Sequence, residues 1–347
     1  MSFADHFKSF TRASLGVCLV IVCGAAAIQA QTQDPYTAGM AAFDAHQYSE
    51  AAPLFAAAEK ANPGKSDALL YEGKSLANVN RFAEAEAVLG EYSTQHPQSS
   101  EALYMLGFVL NREGKPKESL NTYTQAARLS TPKSDDLKVV AIDYVMLNDY
   151  PDAIRWMKQA VAFDPQNEEA WYGLGRCYYT QSDFPDAEKA FLRALALEPK
   201  NLKAAINLAL TLEMRNLPKD ADHAYQHAIA LAGADPKTDE WPYLDYASFL
   251  LDQGRAADAV PLLRKAVGIN PRCAECHGKL GRALAAAGQP KQAVAELERA
   301  VALSPKDPKL HYALGRAYRS AGMEAKAKAE LAMTAKLYGT KDSTGPK

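Results

Sequence analysis

The 347-residue chain carries 39 Lys and Arg against 41 Asp and Glu, a formal net charge of −2. So even a balance argues against nucleic acid or an anionic membrane surface as the global partner. No run of alternating β-branched residues is long enough for a sheet, so a second fold class is not expected beside a helical one.

The first segment differs from the rest. Lys8 and Arg12 precede an apolar stretch from Leu15 to Ile28 and then Gln29-Ala30-Gln31, the layout of a secretory signal peptide with a small-residue cleavage site after Ala30. The stretch is short for a bilayer span, which needs roughly 20 residues. Residues 1–30 are therefore expected to be removed and the mature chain exported, periplasmic or secreted, with a retained N-terminal membrane anchor as the alternative. Asp5, Lys8 and Arg12 leave with the segment, so the mature chain stays nearly neutral.

From about residue 32 onward the chain echoes itself. Trp171, Leu174, Gly175, Tyr178, Ala187, Phe191, Ala194 and Pro199 mark one unit, and the same slots recur 34 residues before and after it. Nine units begin near 32, 66, 100, 134, 168, 202, 240, 274 and 308. Their small-residue slot reads Gly39, Gly73, Gly107, Ala141, Gly175, Ala209, Ala247, Gly281 and Gly315, always small enough for two helices to approach closely. In each unit, apolar residues at three- and four-residue steps flank a polar break, which predicts two antiparallel helices. Gly114-Lys115-Pro116, Asn216-Leu217-Pro218 and Gly288-Gln289-Pro290 place a helix-ending residue just ahead of a proline able to open the next helix. About four extra residues around Ala232-Gly233-Ala234-Asp235-Pro236 predict a longer turn near 232–239, a candidate hinge.

This pattern resembles the tetratricopeptide repeat. The resemblance covers roughly residues 32 to 338 and implies an all-α, right-handed superhelical solenoid of stacked antiparallel helix pairs, since one pair cannot bury its apolar face alone. Residues 31–338 form the expected solenoid, with an alanine- and lysine-rich last helix from about Met323 to Tyr338 as its cap. The polar remainder, 339–347, is expected to be disordered.

Motifs for chemistry are few. Cys18 and Cys23 lie in the leader, which leaves Cys177, Cys273 and Cys276. Cys273-Ala274-Glu275-Cys276-His277 matches the C-x-x-C-H haem-attachment signature, in which both sulfurs would form thioethers and His277 would ligate iron. His311 holds the same slot one unit later. The repeat itself accounts for much of this motif, because Glu169-Ala170-Trp171 and Lys309-Leu310-His311 have the same layout at a first-helix start. The two cysteines are open to a local disulfide or a reactive dithiol as well. No cofactor is expected, covalent haem being the alternative. Cys177 reads as a small buried hydrophobe. His223 and His227 share a helix face, yet no third ligand accompanies them, so no metal is expected. Asp135-Asp136 and Glu168-Glu169 fall at helix starts, where acids stabilise the N-terminus. No phosphate loop, nucleophile elbow or triad can be assembled, and an enzyme is not expected.

What the resemblance does imply is a concave binding surface lined by positions 2, 5, 9, 12 and 13 of each unit. From the third unit to the fifth these supply Tyr104, Phe108, Arg112, Ile142, Val145, Met146, Tyr172, Arg176 and Tyr179. The sixth and seventh add Ile206, Leu210, Met214, Trp241, Leu244 and Leu251, and the last two turn basic with Arg282, Tyr312, Arg316 and Arg319. An apolar groove ending in arginines suits a helical or extended peptide with apolar anchors and one acidic end. Part of the stripe is equally open to burial as core. Some family members grip a C-terminal carboxylate with Lys and Asn at these positions, a set absent here: Ile142 stands where Asn would accompany Lys138, and Arg176 follows Tyr172. The chain is thus expected to be a protein- or peptide-binding scaffold in an envelope or membrane-associated complex, with a redox protein built on Cys273 and Cys276 as the alternative.

Overall fold

The computed structural model describes residues 34–64, 67–234 and 238–342. The expected signal segment, residues 235–237 of the longer turn, and 343–347 lie outside the described residues.

Among the described residues the helices form nine consecutive pairs. The first three are α1 (Pro35–Asp44) with α2 (Tyr48–Ala61), α3 (Ala68–Asn78) with α4 (Phe82–Gln95), and α5 (Ser100–Arg112) with α6 (Pro116–Ala127). The next three are α7 (Ser134–Met146) with α8 (Tyr150–Phe163), α9 (Glu168–Thr180) with α10 (Phe184–Leu197), and α11 (Leu202–Met214) with α12 (Pro218–Ala234). The last three are α13 (Trp241–Asp252) with α14 (Ala256–Ile269), α15 (Ala274–Ala286) with α16 (Pro290–Leu303), and α17 (Pro308–Ser320) with α18 (Glu324–Asp342). Each helix packs on its successor, and first helices of adjacent pairs also touch, as in α5 with α7 and α7 with α9. That is the expected all-α solenoid.

Two local devices set the 34-residue register. The turn inside each pair has one residue in the left-handed region at the same slot: His46, Asn80, Gly114, Asn148, Ser182, Asn216, Gly254, Gly288 and Gly322. Glycine and asparagine adopt that conformation at little cost; His46 and Ser182 do not share that advantage. The second device is the small-residue slot. A Cβ added at Gly175 would stand 2.7 Å from the Phe191 ring on the partner helix, and one at Gly107 would meet Tyr123 equally closely.

Between pairs, polar side chains carry the stacking. Asn167 caps α9 by accepting from the Ala170 N–H at 3.0 Å, while its amide nitrogen reaches back to Ser134 Oγ and Asp135 on α7. Asn201 does the same between α11 and Glu168 of α9.

One apolar core runs from Leu137 to Ala327 and spans the longer turn. Ala232 of α12 and Tyr243 of α13 both belong to it, and Tyr225, Tyr246 and Phe249 pack ring on ring across the two helices, centroids 5.2–6.4 Å apart. Tyr246 Oη also donates to Asp222 on α12 at 2.7 Å. The helices flanking residues 232–239 thus share one core. An interruption of that core lies where α5, α6 and α7 meet. There the core divides into smaller clusters, and a fully buried Asp143 accepts from Asn111 Nδ2 at 2.8 Å beside Ser119. At the far end α18 continues to Asp342, beyond the Tyr338 boundary read from sequence.

Candidate functional site

The expected groove residues lie on the first helix of each pair, and they divide there by exposure. Met146, Met214, Trp241 and Tyr312 project, with 41%, 55%, 51% and 49% of their surfaces exposed. Ile142, Tyr172, Tyr179, Leu210 and Leu251 are half-buried and lean on the main core, while Tyr104 and Phe108 lean on the small clusters near α5. Val145 and Ile206 are half-buried too. Leu244 is a correction: it is 1% exposed and lies in the core, not in the groove. Tyrosines in that slot reach polar partners with the hydroxyl, Tyr104 donating to Ser130 O at 2.7 Å and Tyr172 meeting Asn207 Nδ2 at 3.4 Å, whereas Leu244 packs wholly into the main core.

Charge varies along the groove. In the N-terminal half Lys74 pairs with Glu101 of the next pair, and Lys138 pairs with Glu169 of the next pair and with Asp135 on its own helix. Arg112 lies over the Phe82 ring at 5.3 Å. Arg176 sits 6.0 Å from the Tyr172 ring, and Arg316 repeats that arrangement 5.9 Å from Tyr312. In the middle, burial raises the Asp245 carboxyl to about 6; the Lys279 ammonium opposes the shift and Glu213, Glu275 and Asp239 add to it.

At the C-terminal end these features open into a cavity of about 1150 Å³. Leu251, Arg282, Tyr312 and Arg316 line it together with Asp252, Lys279, Lys309 and Tyr338. Arg319 is exposed at the end of α17 but is not among the lining residues. Of the acids there, Glu275 pairs with Lys279 at 3.2 Å and Asp307 caps α17 through the Lys309 N–H. Arg282, Arg316 and Arg319 have no ion pair or hydrogen bond from their guanidinium groups among the described residues, so the cavity, where Lys279, Arg282, Lys309 and Arg316 face Asp252, Glu275 and Asp307, presents two unpaired guanidinium groups. Lys309 and Asp252 occupy positions 2 and 13 of their units and were within reach of the same positional rule. Tyr338 was not, because it comes from α18, the second helix of its pair.

The C-x-x-C-H motif resolves differently from a haem site. Cys273 and Cys276 are joined in a disulfide. His277 is buried, its Nδ1 2.7 Å from Glu296 and its Nε2 3.1 Å from Pro271 O. His311 pairs in the same way with Glu330 and Pro305 O, and Trp171 in the same slot donates to Pro165 O at 3.1 Å. This is a ring N–H tied to the preceding inter-pair loop. Neither a free sulfur nor a free ring nitrogen is offered to a porphyrin, so these residues do not fit haem attachment. Burial disfavours the charged His311 ring, yet the hydrogen bonds to Glu330 and Pro305 prevail and raise its pKa. Cys177 is buried, and burial raises its thiol to about 11. No described helix is long and apolar enough to cross a membrane.

Comparison with known proteins agrees with this architecture. Two models described as tetratricopeptide repeat match residues 141–201 and 178–236, and residues 42–107, 250–302 and 284–338. Cellulose synthase operon protein C of Pseudomonas fluorescens is 28% identical over 156 residues, 43% of this chain and 12% of that protein. The BBSome complex member BBS4 of Xenopus tropicalis is 32% identical over 77 residues, 22% of this chain and 15% of its own length. The chain therefore spans only a small part of these curated relatives. Among solved structures, the C-terminal part of a repeat protein from Cytophaga hutchinsonii superposes with a TM-score of 0.58 at 16% identity, covering 71% of this chain and 99% of that one. A repeat protein from Parabacteroides merdae gives 0.51 at 21% identity, covering 72% and 97%. With the repeat models reaching across more than half of its length, the chain belongs to the tetratricopeptide repeat family.

Proposed function

We propose that the chain is a non-enzymatic scaffold that binds an apolar peptide or helical segment of a partner protein along its concave face. The C-terminal cavity receives an acidic residue of that segment. One observation carries this reading: Arg282 and Arg316, one repeat apart, flank an open cavity of about 1150 Å³ with neither guanidinium in an ion pair, while Lys74 and Lys138 nearer the N-terminus are paired. Exposed Met214, Trp241 and Tyr312 supply apolar anchors of the kind that dominate peptide recognition.

The proposed setting is the cell envelope, in assembly or secretion of its components. The leader pattern of Lys8, Arg12 and Leu15 to Ile28 supports export. The partial match to a cellulose synthase operon protein gives the polysaccharide-secretion version of this role a named relative.

The test is selection of a random displayed peptide library on the full chain. Enriched sequences with aromatic or aliphatic anchors beside Asp or Glu are expected, and they should lose binding to the Tyr172→Ala/Trp241→Ala variant. Enrichment that survives both substitutions would remove the groove assignment. An intact mass of exported protein beginning at Gln31 would support the leader reading, and a mass retaining Met1 would contradict cleavage.

A further inference from the structure

We propose that Cys273 and Cys276 form a thiol–disulfide exchange site at the rim of the groove, where a protein or peptide dithiol delivers two electrons to the bridge.

The two sulfurs are unequal. Cys273 is half-buried at the N-cap of α15, and Cys276, one turn inside, is fully buried. The Cys276 backbone N–H points at Cys273 Sγ at 3.0 Å. A hydrogen-bond donor at a helix N-terminus stabilises a thiolate on that sulfur, which makes Cys273 a good leaving group and, once reduced, a good nucleophile. Glu240, at the start of α13, places a carboxylate oxygen within 4.8 Å of both sulfurs, held by Asn270 Nδ2 at 2.7 Å. It is the proton relay to the buried Cys276. The residues between the cysteines, Ala274 and Glu275, line the C-terminal cavity, so the pair borders the space into which a bound segment fits.

A brace is the competing role, and the geometry gives it little to do. The bridge closes a separation of three residues and joins no two helices, and the entropic gain from a disulfide falls as the closed loop shortens. The start of α13 is already tied to the end of α14 by Glu240 and Asn270.

The exchange balances as follows. A partner thiolate attacks Cys273 Sγ, the Cys273–Cys276 bond breaks, and Cys276 leaves and takes a proton by way of Glu240. The partner's second thiolate then attacks the partner sulfur of the mixed disulfide and expels Cys273. The partner is oxidised to a disulfide and the protein is reduced to a dithiol, with two electrons and two protons transferred.

The test uses the full oxidised chain and a reduced synthetic peptide carrying two cysteines, followed by tryptic mass mapping of residues 273–279. A gain of two hydrogens in that fragment is expected, mirrored by a loss of two in the probe, with the probe oxidised about tenfold or more faster by the chain than by an equal concentration of glutathione disulfide in its place. The Cys276→Ser variant, given the same peptide in its oxidised disulfide form, should attack it through the Cys273 thiolate and hold it as a mixed disulfide, and in the reduced chain Cys273 should react with iodoacetamide about tenfold faster than glutathione at neutral pH. The alkylation needs no peptide in the groove, so it stands or falls apart from the binding reading. Exchange no faster than with glutathione disulfide, or an alkylation rate equal to that of glutathione, would leave the bridge as a local brace and overturn the proposal.

Discussion

The Ser119 hydroxyl stands 2.5 Å from Asp143 Oδ2 and 2.9 Å from the Gly107 carbonyl oxygen, two acceptors for one proton. The Ser119 hydroxyl donates to the Asp143 carboxyl and lies within reach of the Gly107 carbonyl as a second acceptor. Asn111 Nδ2 supplies the other carboxyl oxygen at 2.8 Å. Burial raises Asp143 to about 6, while the hydrogen bonds from Ser119 and Asn111 oppose the shift. The seam where α5, α6 and α7 join is therefore sensitive to pH.

The direction follows from linkage. The folded state holds the Asp143 proton more tightly than the unfolded chain, so the stability it contributes is present below the ordinary carboxylate pKa and is lost as pH rises through about 6. Asp143→Asn keeps every hydrogen bond and removes the ionisation. It is expected to raise stability at pH 8 by about 1–3 kcal/mol, with little effect near pH 4. Urea unfolding of both proteins at the two pH values checks this; equal differences at both would place the Asp143 proton elsewhere.

Ser182 adopts a φ of 61° in the slot that other pairs fill mostly with glycine or asparagine. Ser182→Gly removes a left-handed penalty of about 1 kcal/mol or more, partly offset by the added freedom of the unfolded chain. A rise in thermal midpoint is expected. An unchanged or lower midpoint would mean that the turn does not strain this serine.

His277 holds a loop, as Trp171 and His311 do, and its ring nitrogens are engaged by Glu296 and Pro271. Full-length chain produced in a host that matures c-type cytochromes is expected to show no Soret band and no haem mass. His277→Ala should lower stability by about 1–3 kcal/mol through the hydrogen-bond acceptors left behind. Covalent haem on Cys273 and Cys276 would reverse this assignment.

Much of the fold was legible because the repeat imposes the same physical demand every 34 residues. Gly175 must be small to admit Phe191, and Gly114, Asn216 and Gly288 must turn the chain between paired helices. The site was less legible, since exposure depends on what lies across the solenoid. Leu244 shares a slot with Tyr172, Ile206 and Tyr312, yet it alone of these is fully buried in the core. Asp143 would pass for a surface acid on an amphipathic helix; its burial is set by Asn111, 32 residues away, and by Ser119 on the intervening helix. Tyr338 borders the cavity only because α18 packs beside α17. By contrast, the structural role of His277 could be inferred from Trp171 and His311, which hold the same slot.

The most direct test of the groove is the affinity of a library-selected acidic peptide, read by fluorescence anisotropy against four proteins. These are the native chain, Arg282→Ala/Arg316→Ala, Tyr172→Ala/Trp241→Ala, and Phe163→Ala as an exposed control at the end of α8. The account expects each groove pair to weaken binding about tenfold or more, the arginine pair losing its effect at high salt, and the control to leave affinity unchanged. Undiminished binding by both groove variants, or an equal loss in Phe163→Ala, would contradict the concave face as the recognition surface.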